Sequence, residues 1–507
     1  MDFIKNHRVI IIDDNYKEAL PVIGAFAKKG VATIYWNGKI DTKPEEPLEG
    51  IRFVFLDMRL SFVTDPRSVI AYLFTLLKSV LSMKNGPYIL FIWSKHDNEY
   101  LEYFKSELLH DKTVPKPYLI INMEKSNFIE TKYQKNEVYY EVAATLSNEE
   151  QNEIKDEILD VLRCNNINET IESISIVEDG VNKLINSLDE KMKQINALSI
   201  LLMWENIVNV SARNLVNDIA NLSEVSGDWD NNIKTLIQNL ALANGGKSLE
   251  PKTKDYIINA LTAFNQMLPD ELWNQLIKSS IDEDRFKFIN NTSIIKTVSD
   301  NTYSIFKQNK KYFVKKNNSD YTSFKNLESI KESVDKELCT ELYNEYLGLM
   351  GKSNFKLLCE RNGLGEIKKV GSIYEIEDSE LLQELCNSIL QEEYKIPQKG
   401  IKLIKLDVSS ACDYAQDKLK RIRLLPGIMI EEEYFLAVGT TDDIYCTPEL
   451  NINNKLVKLV FNFHYITNES KENLENISVT FSFRDLLLSE IKHKLSAYIS
   501  RVGIVNL

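Results

Sequence analysis

Five polar residues in the first quarter of the chain stand directly after, or close to, short apolar runs. Asp13 and Asp14 follow RVIII, Asp57 follows IRFVFL, and Ser94 follows YILFIW. Lys125 comes a little beyond YLII. If these runs are parallel strands of one sheet, the five side chains meet at one rim, because such sheets bind ligands outside the carboxyl ends of their strands. Three carboxylates in one crevice repel one another. The cluster therefore calls for a cation, and an all-oxygen set suits Mg²⁺, which keeps several waters and takes few protein carboxylates. Asp13, Asp14 and Asp57 are the candidate metal ligands, and Ser94 and Lys125 add a hydroxyl and an ammonium.

The elements that must position these groups are legible in the pattern. Strands are expected at Arg8–Ile12, Val31–Trp36, Ile51–Leu56, Tyr88–Trp93 and Tyr118–Ile121. Helices are expected at Lys17–Lys29, ending at Gly30, at Pro66–Met83 and at Asn98–Leu109. Near-continuous apolar strands are buried on both faces, and their alternation with helices implies a doubly wound parallel sheet. Residues 130–150 carry no clear pattern. Helical spacing then recurs over Glu149–Arg163, Val181–Ala220, Asn232–Leu242, Lys254–Leu268 and Leu272–Ser280. Residues 290–397 are polar and mixed, with helices expected at Asp320–Leu349 and Ser379–Glu393. Strands are expected at Ile401–Val408, Tyr434–Val438, Lys455–Tyr465 and Ile477–Phe483, before a helix at Leu486–Ile499. The expected class is α/β, with a five-stranded parallel N-terminal domain (1–130), a mostly helical region (131–397) and a mixed α+β C-terminal domain (398–507).

The order Asp-Asp, Asp, Ser, Lys on this βα pattern resembles the receiver domain of two-component response regulators. The resemblance covers the N-terminal quarter well and the remainder weakly. It implies that Asp13 and Asp14 bind Mg²⁺ together with Asp57, and that Asp57 takes a phosphoryl group from a histidine kinase. Ser94 would then hydrogen-bond the phosphoryl oxygens, and Lys125 would pair with them. The sequence departs from the family at Ser126, where a proline is usual, and at Asn122, near the usual position of a switch aromatic. The whole chain is similar to receiver-bearing proteins of bacterial phage-defence two-component systems of the Detocs type. That similarity implies a phosphate sink or adaptor, with a histidine kinase and other receiver proteins as partners. The departures favour a second reading, a phosphorylation-independent pseudo-receiver acting as an interaction scaffold.

Composition narrows the alternatives. The 507 residues are too many for one core. A net charge of −13 argues against a chain built to grip nucleic acid or anionic membrane. No apolar run approaches the roughly 20 residues of a membrane-spanning helix, and the N-terminus does not read as a signal peptide, so a cytoplasmic protein is expected. The six cysteines form no CxxC pair, and the five histidines are scattered. Gly245–Ser248 resembles part of a phosphate-binding loop but lacks its first glycine, Ala241 standing there instead. The segment DVSSACDYAQDK (Asp407–Lys418) reads as a strand-to-helix turn around Cys412 and Asp413. No enzyme activity beyond turnover of the receiver phosphate is expected.

Overall fold

The first five apolar runs form one parallel sheet: β1 (Arg8–Ile12), β2 (Thr33–Trp36), β3 (Ile51–Leu56), β4 (Ile89–Ser94) and β5 (Leu119–Glu124). Their order is β2-β1-β3-β4-β5, and every neighbouring pair is parallel. Nearly all of β1, β3 and β4 is buried, because helices cover both faces. On one face α2 (Pro66–Val80) and α3 (Leu101–His110) pack over Ile10, Ile12, Val54, Leu90 and Ile92. On the other, α1 (Tyr16–Lys28) packs over Val9, Ile11, Phe53, Phe55 and Phe91. Local chemistry sets the helix ends. Asn15 caps α1, Asp65 caps α2 ahead of Pro66, and Gly30 adopts φ +71° just beyond α1, as its expected place as a terminating glycine requires.

The structure is a computed structural model that describes residues 8–60, 65–95, 101–137, 141, 161, 170–193, 195, 197–222, 228–245, 253–279, 281, 293–298, 301–308, 311–317, 321–325, 336–361, 368–391, 400–410, 414, 419–474 and 477–500. The chain divides into two compact units, Met1–Ile289 and Asn290–Leu507.

The rest of the first unit differs from the sequence reading in three places. Residues without a clear pattern form β6 (Ile129–Lys135), antiparallel to β7 (Thr170–Ile176). The expected helix over 149–163 lies outside the described residues except for 161. The stretch read as one helix from Val181 is two, α4 (Gly180–Lys193) and α5 (Ala197–Leu222), with Ile195 buried between them. Leu184, Leu188, Leu198 and Leu202 from this pair complete the core on the α1 face, so that core draws on residues beyond 130. Next come α6 (Trp229–Gly245) and α7 (Thr253–Lys278). The break expected near Pro269 is absent. α7 runs through it, packed along α5 and α6, with Glu271 accepting from Asn214 at 2.9 Å and Asn259 accepting from Asn244 at 2.9 Å.

The second unit begins with an antiparallel meander: β8 (Ile294–Val298), β9 (Asn301–Gln308), β10 (Lys311–Lys316) and β11 (Tyr321–Phe324). Where the helix expected from Asp320 would begin, Tyr321–Phe324 is β11, with Phe324 opposite Tyr312 and buried with Leu338, Cys339 and Leu342; the described helix is α8 (Lys336–Leu358). Two short strands follow, β12 (Cys359–Glu360) and β13 (Ser372–Glu375), then α9 (Ser379–Ile389). The remaining strands are β14 (Ile401–Asp407), β15 (Arg421–Glu431), β16 (Ile444–Cys446), β17 (Leu450–Ile452), β18 (Lys455–Asn462), β19 (Thr467–Ser470) and β20 (Val479–Phe483), before α10 (Asp485–Ile499). They build an antiparallel sheet in the order β12-β20-β13-β14-β15-β18-β16, with β17 on β18 and β19 on β15. The sequence reading is corrected here too. The strand expected at Tyr434–Val438 is a 3-10 turn over Glu432–Ala437, and of the strands in this sheet only β14, β18 and β20 were expected; β12, β13, β15, β16, β17 and β19 were not, nor was the β8–β11 meander in a stretch expected to be mostly helical. Pro426 falls where β15 changes partner from β19 to β18. Gly427 is there because a Cβ would meet Val460 O at 2.4 Å.

Candidate functional site

The sheet hydrogen bonds continue one residue past the strands of the first unit. Asp57 N–H donates to Ile12 O at 2.9 Å, and Asp13 N–H donates to Trp36 O at 3.1 Å. This places Asp13 and Asp57 side by side at the carboxyl rim. A tight turn then fixes each carboxylate: Asp13 Oδ1 accepts from Asn15 N–H at 2.9 Å, and Asp57 Oδ1 accepts from Arg59 N–H at 3.1 Å. Asp13 is fully buried, Asp57 is 6% exposed, and Asp14 is exposed. One oxygen from each of Asp13, Asp14 and Asp57 lies within 4.8 Å of the others. Asp13 Oδ2 is buried without a well-aligned hydrogen bond. The three carboxylates offer an oxygen set of the kind a metal ion takes, and the same Asp13 Oδ2 faces the Lys125 ammonium at 2.8 Å.

Lys125 follows β5 at the start of a short 3-10 turn, and its side chain is completely buried. Its ammonium hydrogen-bonds Asp57 Oδ2 at 2.7 Å and stands 2.8 Å from Asp13 Oδ2. Ser94, the last residue of β4, is 5% exposed and lies opposite Glu124 in the β4–β5 register, next to the strand that delivers Lys125. The β3–β4 register pairs Leu56 with Ile92, so Asp57 and Ser94 leave the same end of the sheet. All five residues singled out from the sequence therefore share one rim.

The structure adds a sixth group. Glu18, in the first turn of α1, is 7% exposed and accepts from Lys125 at 2.7 Å through Oε2. Its Oε1 pairs with Lys95 at 2.6 Å. In the sequence, Asn15-x-x-Glu18 reads as a helix cap, with the acid returning toward the cap residue. The available signal was its spacing: Glu18 lies on the same helix face as Val22 and Ala25, which are buried. Tyr35 was also missed. Its hydroxyl donates to Asp13 O at 2.7 Å.

The electrostatics follow from this crowding. Burial pushes Asp13 up to about 7, with Lys125 pulling it down and Asp57 pushing it further up. Burial and the Asp57 charge also raise Asp14. Burial works to raise Glu18, but Lys125 and Lys95 outweigh it, and the carboxyl is held below its usual range. For Lys125 burial opposes the charge, yet Asp57, Asp13 and Glu18 prevail and keep the ammonium protonated. Burial beside Asp13 and Asp14 pushes the Tyr35 hydroxyl up to about 12.

Several other sequence signals do not join this rim. Asn122 and Ser126 are exposed. His96, Cys412, Asp413 and residues 246–248 lie outside the described residues. Asp407 is buried and satisfied within its own turn, accepting from Ser409 N–H at 2.9 Å and from the Tyr414 hydroxyl. Among the described residues, no single helix is long and apolar enough to cross a membrane. Compared with protein-family models, curated proteins and solved structures, the chain matches none.

Proposed function

We propose that the first unit is a receiver-like phosphoacceptor and that Asp57 takes a phosphoryl group from a histidine kinase. The observation that carries this reading is the buried Lys125 ammonium, 2.7 Å from Asp57 Oδ2 beside the Asp13–Asp14 pair. In the step, an Asp57 oxygen attacks the donor phosphorus. The donor P–N bond breaks, the imidazole leaves, and an acyl phosphate remains. Hydrolysis reverses the charge placement: water attacks phosphorus, the Asp57 carboxylate leaves, and inorganic phosphate departs. Lys125 neutralises a phosphoryl oxygen, Ser94 offers a hydroxyl, and the turn at Arg59 holds Asp57 in place. Asp13, Asp14 and Asp57 would hold Mg²⁺, which supplies positive charge opposite the phosphoryl oxygens when bound.

The role that fits the resemblance is a phosphate sink or adaptor, exchanging phosphate with a kinase that serves other receiver proteins. One observation favours a second reading, a phosphorylation-independent scaffold: three carboxylates already surround the Lys125 ammonium, so the crevice is partly self-neutralised. Incubation with acetyl phosphate and Mg²⁺ separates the two. The first predicts an acid-stable, base-labile label that Asp57→Asn abolishes, and the second predicts no label on the folded chain.

A further inference from the structure

The Lys125 ammonium carries three N–H groups and has three carboxylate neighbours. Hydrogen bonds run to Asp57 and Glu18, and Asp13 forms an ion pair. A phosphoryl group on Asp57 would need this ammonium for its own oxygens, so one neighbour must give way. Asp13 is held by its turn and belongs to the metal set. Glu18 has a second cation, Lys95, at 2.6 Å on its other oxygen, Oε1, which also accepts a longer 3.5 Å hydrogen bond from the Asn15 amide. Glu18 and Lys95 reach the pocket from different elements, the first turn of α1 and the residue after β4.

We propose that Glu18 is a positioning residue that competes with the phosphoryl group for Lys125, with Lys95 setting how readily Glu18 lets go. This rests on the phosphoacceptor reading above. Before phosphorylation, Glu18 holds Lys125 in the crevice. When phosphate arrives, Lys125 turns to a phosphoryl oxygen, and Lys95 keeps the buried Glu18 charge paired. An unpaired buried carboxylate is costly, so without Lys95 the release of Lys125 is disfavoured. The two side chains therefore push occupancy in opposite directions. Glu18 weakens binding of a phosphoryl group, and Lys95 relieves that weakening.

The test measures beryllofluoride binding to the full chain in saturating Mg²⁺, followed by intrinsic tryptophan fluorescence, alongside the acetyl phosphate dependence of labelling. Glu18→Gln keeps shape and removes charge. It should lower the half-saturating beryllofluoride concentration about tenfold, the worth of one hydrogen bond to a charged group. It should also lower the KM for acetyl phosphate more than it changes the maximal rate. Lys95→Met should raise both values, and the double variant should behave like Glu18→Gln alone. Equal affinities in wild type and both single variants, or shifts in the same direction, overturn the proposal. If Glu18→Gln does not fold, Lys95→Met decides, because Lys95 is partly solvent-exposed: weaker binding supports the competition and unchanged binding overturns it. Failure of the underlying reading looks different, since wild type itself would then neither bind beryllofluoride nor take label.

Discussion

Lys125 and Asp57, 68 residues apart in sequence, meet through a 2.7 Å hydrogen bond in which the lysine side chain has no exposure to solvent. A lysine is buried this completely only when its charge is matched. Replacing it with methionine leaves Asp13, Asp57 and Glu18 facing one another without their common cation. Breaking a buried ionic group in this way costs about 3–5 kcal/mol. Lys125→Met should therefore lower the urea midpoint of the first unit sharply. Added Mg²⁺ should recover more stability in the variant than in wild type, because the metal replaces part of the missing charge. Urea titrations with and without Mg²⁺ check both.

A metal ion bound at Asp13 would compete with a proton there. Its carboxyl, pushed by burial to about 7, holds a proton in the metal-free fold that the unfolded chain has already lost. The folded form therefore binds more protons between the ordinary carboxylate range and pH 7, and this group's contribution to stability falls as pH rises through that window. Glu18 works the other way. Its lowered carboxyl contributes stability above the usual carboxylate range and loses it as pH falls below that range. Because a metal ligand must be deprotonated, Mg²⁺ affinity should rise as pH increases through 7 and then level off. Mg²⁺ titrations on either side of neutrality check this, and a flat profile contradicts it.

The rim was readable from sequence because its groups come at the ends of strands buried on both faces, where a polar residue interrupts an apolar run. Glu18 was not readable in that way. An acid in the first turn of a helix is ordinary dipole and cap chemistry, and its burial depends on Lys125, more than a hundred positions away. The same limit applies elsewhere. β6 and β9 carry mostly exposed or half-exposed residues, so no apolar run announces them. β15 hides behind a Pro-Gly pair whose tolerance depends on which strands lie beside it. For Glu18, β6 and β15 the deciding partners are distant in the chain; for β9 they are its adjacent hairpin strands β8 and β10.

Arg52 at the opposite end of β3 forms a two-pronged pair with Glu205 of α5, at 2.8 and 3.0 Å. The pair ties the sheet to the helix that completes its core. Both side chains keep some solvent contact, so a double-mutant cycle on Arg52→Ala and Glu205→Ala should give a coupling of about 1 kcal/mol that shrinks with salt. Beryllofluoride binding at the far rim should not change.

Gly427 sits under the backbone of β18. A methyl group there would meet Val460 O at 2.4 Å and the Phe461 ring at 2.6 Å. Gly427→Ala should destabilise the second unit by roughly 1–3 kcal/mol, the usual cost of overpacking. The proposed phosphoryl chemistry in the first unit should be unaffected. Thermal unfolding and acetyl phosphate labelling of the same sample check the two halves of this expectation.

The most direct measurement of the central claim is reductive trapping. After treatment with acetyl phosphate and Mg²⁺, borohydride converts a phosphorylated aspartate to homoserine, which peptide mass mapping locates. A phosphoacceptor at the Lys125 rim predicts conversion at position 57 that depends on Mg²⁺ and is lost with chelator. Conversion at another aspartate, or none in folded protein with Mg²⁺ present, contradicts it.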